Sequence, residues 1–464
     1  MNVFSLAVRN LLRNRRRSLT TLVAVALGTA AILLFGGYRA AINYAMQTVY
    51  VRSGGHLQIQ HRDFFLFGSG NPTGYAIEHY QAIIDAIRKD PTLREMVLVV
   101  TPTLQLGGIA GNYAAGVSRT VVGLGLVASD HVAMRKWDPY DVGFAAPELE
   151  LDGAASNAAV IGIGLARVLQ LCAPLGIEDC PKPARHGDEP SGNGVALPDD
   201  VAALAAAAGP APKEEPRNIE LLSGNARGTP NVATLRIVAA EQQGFKELDE
   251  IYMLLHLTQA QRLVYGSSAP KVTAILVQLR DTARTAEVHE HIETRLAEWS
   301  AGQPLVVRDF GELNPFYVQS VQLFDTIFGF MFLLIGGIVM FTVSNTMNAS
   351  VVERTIEVGT LRAIGLRQLG IRRMFIAEGS VIGAAGALLG VACALAGSAI
   401  VNRMELTWTP PGAAGPVPLN LVVWGETLMI IGTALCLVAV TIASAWWPAY
   451  RAARLNVVEA LRHV

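Results

Sequence analysis

Four stretches of this chain contain no charged side chain, and they constrain its fold more than any other feature. They are residues 18–38, 326–352, 379–402 and 427–450. Each can supply the roughly 20 mostly apolar residues that a helix needs to cross the hydrocarbon core of a bilayer. Charged residues are only 16% of the 464, which excludes an ordinary soluble domain because such domains are about 25% charged. The sequence therefore predicts an α-helical membrane protein with four transmembrane helices.

The arginines near these stretches predict the orientation. Five precede the first stretch, five lie between the second and third, and three follow the fourth, whereas the loop between the third and fourth offers only Arg403. Lys and Arg concentrate on the cytoplasmic side of membrane proteins. Both termini and the loop after the second helix are therefore predicted to be cytoplasmic. A signal peptide is the alternative for the first stretch, but its apolar run is longer than the roughly 7–15 residues of such a peptide.

The long segment between the first two helices is predicted to be a large extracytoplasmic α+β domain. Strand-like patterns at residues 56–60, 96–100, 121–127, 159–164, 234–239 and 272–279 alternate with helical patterns at 165–171, 257–265 and 283–299. Residues 181–230, rich in Pro, Gly and Ala, are predicted to be a flexible insertion. Cys172 and Cys180 are candidates for a disulfide in an oxidising compartment, with two free thiols as the alternative. Cys393 and Cys436 are expected to be buried thiols.

The cytoplasmic segment after the second helix combines charge with helical spacing. Ile356, Leu361 and Ile364 are expected to share an apolar face, with the surrounding Glu and Arg side chains on the polar face and Gly365 at the helix C-terminus. Such a helix either docks into a partner's groove or is a surface connector without a partner, and the residues alone leave both open. A second pattern, the spacing of Gly379, Gly383, Gly386 and Gly390 in the third helix, is typical of close helix packing, within one subunit or between two.

Two motifs of this chain resemble the MacB/FtsX-like family of ABC transporter permeases. The first runs through Glu353-Arg354, Glu357-Val-Gly359 and Leu361-Arg362-Ala-Ile-Gly365 to Glu378-Gly379 and Gly383. The second is the C-terminal stretch from Pro448 to Arg462, where Val457 replaces the proline that the family often has. The stretch from Gly244 to Leu263 is also similar, more loosely, to the external domains of the lipoprotein-releasing branch, the LolC/LolE-like permeases.

The resemblance implies a dimer of permease subunits, each docked on a cytoplasmic ABC ATPase that holds the ATP and Mg²⁺. It makes Glu353, Arg354, Glu357, Gly359, Leu361, Arg362 and Gly365 the candidate coupling residues. The implied function is mechanotransmission in a bacterial inner membrane, to extract or hand on a lipoprotein or other hydrophobic substrate. The alternatives are an FtsX-like regulator of a periplasmic cell-wall hydrolase and an efflux permease for a drug or peptide. Further partners that the family implies are a second permease copy or a paralogue, a periplasmic carrier, adaptor or hydrolase, and membrane lipids.

An enzymatic role is not predicted for the chain itself. No Gly-x-x-x-x-Gly-Lys-Ser/Thr motif occurs, so the ATPase is expected to be a separate chain, and this chain is expected to bind no cofactor. His56, His61, Asp63, His289 and His291 lack a recognised metal-ligand spacing and are expected at the surface or at strand edges. A net charge of −1 gives no general attraction to nucleic acid.

The predicted boundaries follow from these patterns. An interfacial helix is predicted for residues 1–17, transmembrane helices for 18–38, 326–350, 375–402 and 426–447, and helical stalks for 39–53 and 314–325. The external domain spans 54–313, the coupling helix and its loop span 351–374, a short external loop spans 403–425, and the cytoplasmic tail spans 448–464. Alanine at both Glu353 and Arg354 is predicted to uncouple ATP hydrolysis while leaving the protein in the membrane.

Overall fold

The computed structural model describes residues 9, 13, 15–68, 70–141, 148–177, 217–244, 246–409 and 416–454. The chain divides into two compact units. The first comprises Met1–Gln47, Phe316–Trp408 and Pro418–Val464, and the second comprises Thr48–Pro315 and Thr409–Val417. The first unit is helical and the second is an α+β domain inserted between the first and second long helices. The predicted fold class is confirmed.

Long apolar helices build the first unit. The helices are α1 (Arg15–Gly54), α2 (Pro315–Glu353), α3 (Thr355–Ala363), α4 (Gln368–Arg403) and α5 (Thr427–Ala453). Within the described residues, all of these except α3 are long and apolar enough to cross a membrane. Because α1 has 40 residues and α2 has 39, each is about twice the length that a span requires. The predicted stalks at 39–53 and 314–325 are therefore parts of these two helices, which continue without a break at the predicted boundaries.

Small apolar clusters hold the long helices together. Val25 of α1, Val339 and Val343 of α2, Ile382 of α4 and Ala445 of α5 pack into one cluster. Much of the remaining helix surface is apolar and exposed, including Leu27, Phe341 and Leu388. A helix surface of this kind matches the hydrocarbon of a bilayer. Two short strands, Thr407–Trp408 and Val417–Pro418, lie between α4 and α5.

A mixed sheet forms the second unit. Nine strands within the described residues belong to it: β1 (Leu57–His61), β2 (Val97–Asn112), β3 (Val117–Leu126), β4 (Ala158–Gly162), β5 (Asn218–Gly224), β6 (Pro230–Glu241), β7 (Tyr252–His256), β8 (Ala274–Leu279) and β9 (Leu305–Asp309). The strand order is β3-β7-β4-β6-β5-β2-β8-β1-β9, and β3 also pairs with β2. Six strands therefore form a closed circuit from β2 back to β2, and β8, β1 and β9 extend from it.

Strand β2 is much longer than the five residues predicted, because its glycines do not break it. Gly107 and Gly108 pair with Val122 and Val121 of β3 and continue the antiparallel ladder. A Cβ on Gly108 would lie 2.7 Å from the carbonyl oxygen of Leu222 in β5. Glycine in this strand therefore permits a close approach of two backbones, which is one of its recognised roles in sheets.

The predicted insertion at 181–230 is wrong over its last part. Asn218–Gly224 is strand β5, which pairs with β6 from Asn218↔Arg236 to Gly224↔Pro230. Ile219 and Leu221 are buried and alternate with more accessible neighbours, so the segment contributes one face to the core. The Pro- and Ala-rich residues before it obscured this short alternation, and they lie outside the described residues.

Helices cover the sheet and complete the core. They span Phe64–Phe67, Tyr80–Lys89, Pro91–Met96, Ala128–Arg135, Ile163–Val168, Cys172–Leu175, Lys246–Asp249, Leu257–Tyr265, Thr285–Trp299 and Phe310–Leu313, with short 3₁₀ turns at Pro72–Tyr75, Tyr113–Ala115 and Thr282–Arg284. The helices predicted at 257–265 and 283–299 are present with nearly these bounds. The helix predicted at 165–171 instead begins at Ile163 and ends at Val168.

Cysteine chemistry differs between the two units. Cys172 is disulfide-bonded, while Cys180 lies outside the described residues, so the pairing of these two stays a prediction. Cys393 and Cys436 are free thiols. The expectation that both are buried is wrong, because Cys393 is exposed and Cys436 is only half-buried.

Candidate functional site

The predicted coupling segment forms a sharp connection between two long helices. Helix α2 ends at Glu353, and Arg354 leaves helical geometry with φ −105° and ψ 19° before α3 begins. At the other end of α3, Gly365 has a φ of +103°, which favours glycine. The amide of Leu366 donates to the Leu361 carbonyl at 3.0 Å, and this caps the helix. The chain therefore turns twice within a few residues before α4 starts at Gln368.

A buried ion pair holds this connection to α4. Arg354 Nη1 donates to Glu378 Oε1 at 2.8 Å, and the two side chains are 6% and 3% exposed. The prediction that Arg354 lies on a polar, exposed face is therefore wrong. A buried charge is tolerated only when it is paired, and Glu378 of α4 supplies the partner.

An apolar cluster lies beside the ion pair. It consists of Val351, Val358, Ile371, Met374, Phe375, Ala449, Ala452 and Ala453. Helices α2, α3, α4 and α5 all contribute, so α3 shares a buried cluster with three long helices. The rest of the predicted C-terminal motif, from Leu455 onwards, lies outside the described residues.

The face of α3 that packs inward is not the predicted one. Val358 and Gly359 are buried, whereas Ile356 is 52% exposed and Ile364 is 80% exposed. The prediction placed Ile356, Leu361 and Ile364 on one apolar face of a helix that ends at Gly365. The interruption at Arg354 starts a new helix with its own phase, which turns Ile356 and Ile364 outward.

Most charges of the predicted coupling set are engaged within the chain. Glu353 pairs with Arg17 at 2.7 Å, and Glu357 pairs with Arg13 at 2.5 Å. Arg362 Nη1 lies 3.4 Å from the carbonyl oxygen of Ala453 at the end of α5. The acidic residues therefore join α2 and α3 to the N-terminal end of α1.

This segment exposes several large apolar side chains. Ile356, Ile364, Leu366 and Leu369 are exposed large side chains, with Thr360 among them. We call these five residues the α3 surface. An exposed apolar patch that is fixed on an anchored helix is suited to a groove on another protein.

The four glycines of α4 pack against helices of the same chain. A Cβ on Gly379 would lie 2.7 Å from the Cβ of Ala445 in α5, and one on Gly383 would meet Thr441 of α5. A Cβ on Gly386 would lie 2.7 Å from Val25, and one on Gly390 would lie 2.5 Å from the Ala26 carbonyl oxygen, both in α1. The structure thus uses this spacing within one subunit.

Polar contacts join α1 and α2 within their predicted stalks. Arg39 pairs with Asp325 at 2.5 Å, and the hydroxyl of Tyr317 donates to Asn43 Oδ1 at 2.8 Å. Tyr44 also hydrogen-bonds to Glu426, which precedes α5. These contacts give the two stalk segments a fixed side-by-side register.

The histidine nearest to α1 in the sequence has a structural role. His56 is fully buried; its Nδ1 accepts from the Leu279 amide at 3.0 Å, so Nε2 carries the proton toward Thr282 Oγ1, also at 3.0 Å. Burial lowers the pKa of His56 to about 4, against the opposing effect of Asp281. The prediction of a surface position was wrong for this residue. Among the described residues, no group of three or more His, Cys, Asp or Glu is arranged to hold a metal ion.

Asp249, within the stretch that resembles lipoprotein-releasing permeases, was not singled out from the sequence. Its carboxylate is buried and accepts backbone amides from Ile163 at 3.1 Å, Gly164 at 2.6 Å and Gln243 at 2.9 Å. Asp249 therefore ties the Ile163–Val168 helix to the loop after β6. This residue of the stretch thus connects two segments within the domain.

Known protein families match residues in both units of the chain. The FtsX-like permease C-terminal domain matches residues 326–457, which include all of α3, α4 and α5 and most of α2. The MacB-like periplasmic core domain matches residues 18–178, from α1 into the sheet domain. This chain belongs to the MacB/FtsX-like permease family. Its sheet unit is accordingly a periplasmic core domain of the MacB type.

Individual relatives cover parts of this permease. It is 33% identical over 160 residues to the macrolide export ATP-binding/permease protein MacB of Sodalis glossinidius, covering 33% of this chain and 23% of that protein. It is 37% identical over 121 residues to the ABC transporter permease YtrF of Bacillus subtilis, covering 25% and 28%. The lipoprotein-releasing system transmembrane protein LolC of Xylella fastidiosa is 23% identical over 249 residues, covering 50% and 56%. The chain thus spans between about a quarter and just over half of the length of these relatives.

Proposed function

We propose that this chain is the membrane subunit of an ABC transporter and that it docks a separate cytoplasmic ATPase through the α3 surface. The proposal is supported by how α3 is fixed to the neighbouring helices. It is held by the buried Arg354–Glu378 pair and by a cluster shared with three long helices, while Ile356 and Ile364 face outward. A helix anchored in this way passes an applied force to its neighbours.

The candidate coupling residues divide into three groups under this proposal. Arg354, Gly359 and Arg362 anchor α3, and Gly365 ends it, so these residues set its position. Glu353 and Glu357 link it to α1 through Arg17 and Arg13. Leu361 is half-buried at the edge of the α3 surface. The exposed isoleucines then supply the contact with the ATPase.

The direction of transmission follows from helix continuity. Helix α2 runs unbroken from Pro315 to Glu353, so movement imposed on α3 acts on one end of a single helix that begins next to the periplasmic domain in the sequence. The Arg39–Asp325 pair carries the movement to α1. Mechanotransmission of this kind needs no pore for a substrate. ATP and Mg²⁺ bind on the ATPase, and a second copy or paralogue completes the transporter.

The orientation completes the proposal. The arginines of the N-terminal end of α1 and of the α3–α4 connection favour a cytoplasmic position for these ends, with the protein in the inner membrane of a bacterial cell. The MacB-like core domain then lies in the periplasm. Its partner there is a carrier, an adaptor or a hydrolase.

For the substrate, we favour release or transfer of a lipoprotein or another hydrophobic molecule. The LolC protein of Xylella fastidiosa, a lipoprotein-releasing system protein by name, is matched over a larger share of its length, 56%, than the MacB protein of Sodalis glossinidius, at 23%. The MacB relatives, named for macrolide export, support efflux as the second candidate. Control of a cell-wall hydrolase is the third candidate, taken from the family.

Docking is tested by affinity purification of the full chain from its native host in mild detergent. We expect an ABC ATPase to co-purify with the wild type and to be reduced at least tenfold with Ile364→Glu, because the carboxylate would be desolvated in the contact. Leu66→Glu is the matched control, since Leu66 is 68% exposed but lies in the periplasmic domain. Equal ATPase recovery with wild type and Ile364→Glu would refute docking through α3.

The substrate class is tested by depleting the protein in that host. Lipoprotein release predicts that lipoproteins accumulate in the inner membrane after depletion. Efflux predicts greater sensitivity to macrolides with normal lipoprotein sorting, and hydrolase control predicts altered cell separation with neither change. Normal lipoprotein sorting would therefore contradict the favoured substrate without contradicting the docking proposal.

A further inference from the structure

A basic cleft lies at the N-terminal end of α1. It has a volume of about 480 Å³ and is lined by Arg13, Arg15, Arg16, Arg17 and Glu353. Within this cleft Glu353 pairs with Arg17, and the nearby Glu357 pairs with Arg13. The lining contains four arginines and one glutamate, a composition that favours an anion.

One guanidinium of the cleft has hydrogen-bonding capacity to spare. Arg17 Nη2 pairs with Glu353 Oε1 at 2.7 Å, while Arg17 Nη1 is buried and has no hydrogen-bond partner among the described residues. A buried donor without an acceptor carries a desolvation cost. The exposed guanidinium groups of Arg15 and Arg16, rather than this buried donor, suit a phosphate, because guanidinium groups bind phosphate through paired, charge-assisted hydrogen bonds.

An apolar stripe on α1 follows Arg16 of the cleft at helical spacing. Arg16, Leu19, Val23 and Leu27 are spaced by three, four and four residues, which places them on one face of the helix. Leu19, Val23 and Leu27 are 60%, 40% and 65% exposed. A cation therefore stands at the head of an exposed hydrocarbon-like surface, at the point where the charge-free stretch of α1 begins.

We propose that this cleft binds the head group of an anionic phospholipid, with the phosphate among the arginines and an acyl chain along Leu19, Val23 and Leu27. The stripe favours a lipid over a free phosphate, because a free phosphate has no acyl chain that could contact these apolar side chains. Basic pockets next to the ends of transmembrane helices are suited to anionic lipid head groups. The inference does not depend on docking of an ATPase or on the substrate.

Bound lipid would also reach the α3 connection. Arg17 and Arg13, which line the cleft, are the residues that pair with Glu353 and Glu357. A phosphate in the cleft would share these guanidinium groups with the two carboxylates. The lipid would therefore influence how tightly the N-terminal end of α1 is held to the ends of α2 and α3.

The test uses the full chain, purified alone and placed in nanodiscs of equal parts phosphatidylglycerol and phosphatidylcholine. Native mass spectrometry after partial removal of lipid measures the ratio of the two lipids that stay bound. Each arginine near an anionic lipid surface contributes about 1 kcal/mol, or about fivefold in affinity. We expect Arg16→Gln to lower the retention of phosphatidylglycerol about fivefold and Arg15→Gln/Arg16→Gln to lower it by about 25-fold.

Arg403→Gln is the matched control, because Arg403 is a single exposed arginine at the end of α4, outside the cleft. It should leave the lipid ratio unchanged. All variants must show the wild-type melting temperature in phosphatidylcholine nanodiscs, and a variant that does not is replaced by Arg16→Lys, which keeps the charge but loses the paired hydrogen bonds and should lower retention by a smaller factor.

Two results would overturn the inference. One is that the cleft variants do not differ from their references. Wild type and Arg15→Gln/Arg16→Gln would then retain phosphatidylglycerol equally, or Arg403→Gln would lose as much of it as the cleft variants. Either outcome would show charge attraction without a specific cleft. The other concerns the source of the phosphate. If inorganic phosphate added to phosphatidylcholine nanodiscs binds to the wild type and not to Arg16→Gln, and phosphatidylglycerol is not enriched, the cleft is a site for a soluble anion.

Discussion

Arg354 shows how the environment of a side chain can change its role from that suggested by the sequence. Its position in a charged motif suggested contact with a partner, yet it is buried against Glu378. Replacing one member of a buried ion pair leaves the other charge uncompensated, at a cost of roughly 3–5 kcal/mol. The alanine double variant at Glu353 and Arg354 should therefore unfold more readily, so a loss of activity in it would not isolate coupling.

We predict that Arg354→Ala destabilises the protein by roughly 3 kcal/mol or more, because Glu378 is then buried without its ion-pair partner. Arg354→Met combined with Glu378→Leu should recover most of that loss, since neither charge remains. Arg17→Ala, which breaks a partly exposed pair with Glu353, should cost less, about 1 kcal/mol. Unfolding of the detergent-purified chain measures all three. Equal stability of Arg354→Ala and Arg17→Ala would contradict the importance of burial.

His131 gives the periplasmic domain a dependence on pH. Burial lowers its pKa to about 4, and Arg135 acts in the same direction. Its Nε2 is buried and has no hydrogen-bond partner within the described part of the chain. The folded protein keeps this imidazole neutral, whereas the unfolded chain protonates it below about pH 6.5. Stability is therefore fully present above about pH 6.5 and is lost as the pH falls toward about 4.

We predict that His131→Leu reduces this loss of stability at low pH. At about pH 7.5 the variant should be as stable as the wild type or slightly more stable, and at about pH 4 its relative advantage should grow by up to roughly 3 kcal/mol. Arg135 pairs with Glu241 at 2.7 Å and should keep that pair in the variant. Melting temperatures of wild type and variant across this pH range provide the measurement, and parallel curves would show that His131 does not titrate on unfolding.

At the scale of elements, helix α4 depends on the absence of side chains at specific positions. Gly390 lies against the backbone of α1, and the carbonyl oxygen of Ala26 cannot move aside as a flexible side chain would. Gly397, further along α4, has only Leu34 side-chain atoms near it, at 3.5 and 3.8 Å. Alanine at Gly390 would therefore add a Cβ where there is no space for it, whereas alanine at Gly397 would add one at an ordinary contact distance.

We predict that Gly390→Ala destabilises the helical unit by roughly 1–3 kcal/mol through overpacking. Gly397→Ala should be neutral or slightly stabilising, because alanine favours helix and its Cβ would make an ordinary contact. Thermal unfolding of both variants in the same detergent tests the difference. Similar melting temperatures would mean that α1 and α4 can move apart without a loss of stability.

The elements also show what sequence patterns can and cannot predict. The charge-free stretches locate α1, α2, α4 and α5 because apolar runs of about 20 residues without charge are characteristic of membrane-spanning helices. The face of α3 was predicted wrongly because one non-helical residue, Arg354, resets the helical phase and leaves no sequence pattern of its own. Strand β5 was missed because its alternation is short. The pairing of Glu378 with Arg354 depends on tertiary packing, which spacing alone does not reveal.

At the scale of the whole molecule, the periplasmic domain joins the two ends of its own sequence. Strand β1 pairs with β8 on one side and with β9 on the other. His56 strengthens the same junction, since its backbone amide donates to Val277 and its carbonyl accepts from Phe310. The part of the sheet around β1 is therefore incomplete until the last strand is present.

We predict that chains ending after Leu313 and after Gly302 differ sharply in resistance to protease. The longer chain contains β9 and should yield a stable domain fragment, because β1 then has both neighbours. The shorter chain lacks β9 and should be degraded roughly tenfold faster, since β1 is left with an unpaired edge. Limited proteolysis of the membrane-inserted products measures this, and equal resistance would show that the remaining strands suffice.

The same pairing governs how the protein is made. His56 and Leu279, which hydrogen-bond to each other, are 223 residues apart, so the strand that emerges directly after the first membrane helix waits for nearly the whole domain to be synthesised. During that interval β1 presents unpaired edges, which are prone to join other chains. Contacts this distant in sequence also form slowly. Cells that overproduce the protein should therefore need more periplasmic chaperone capacity, and slower synthesis should raise the folded yield.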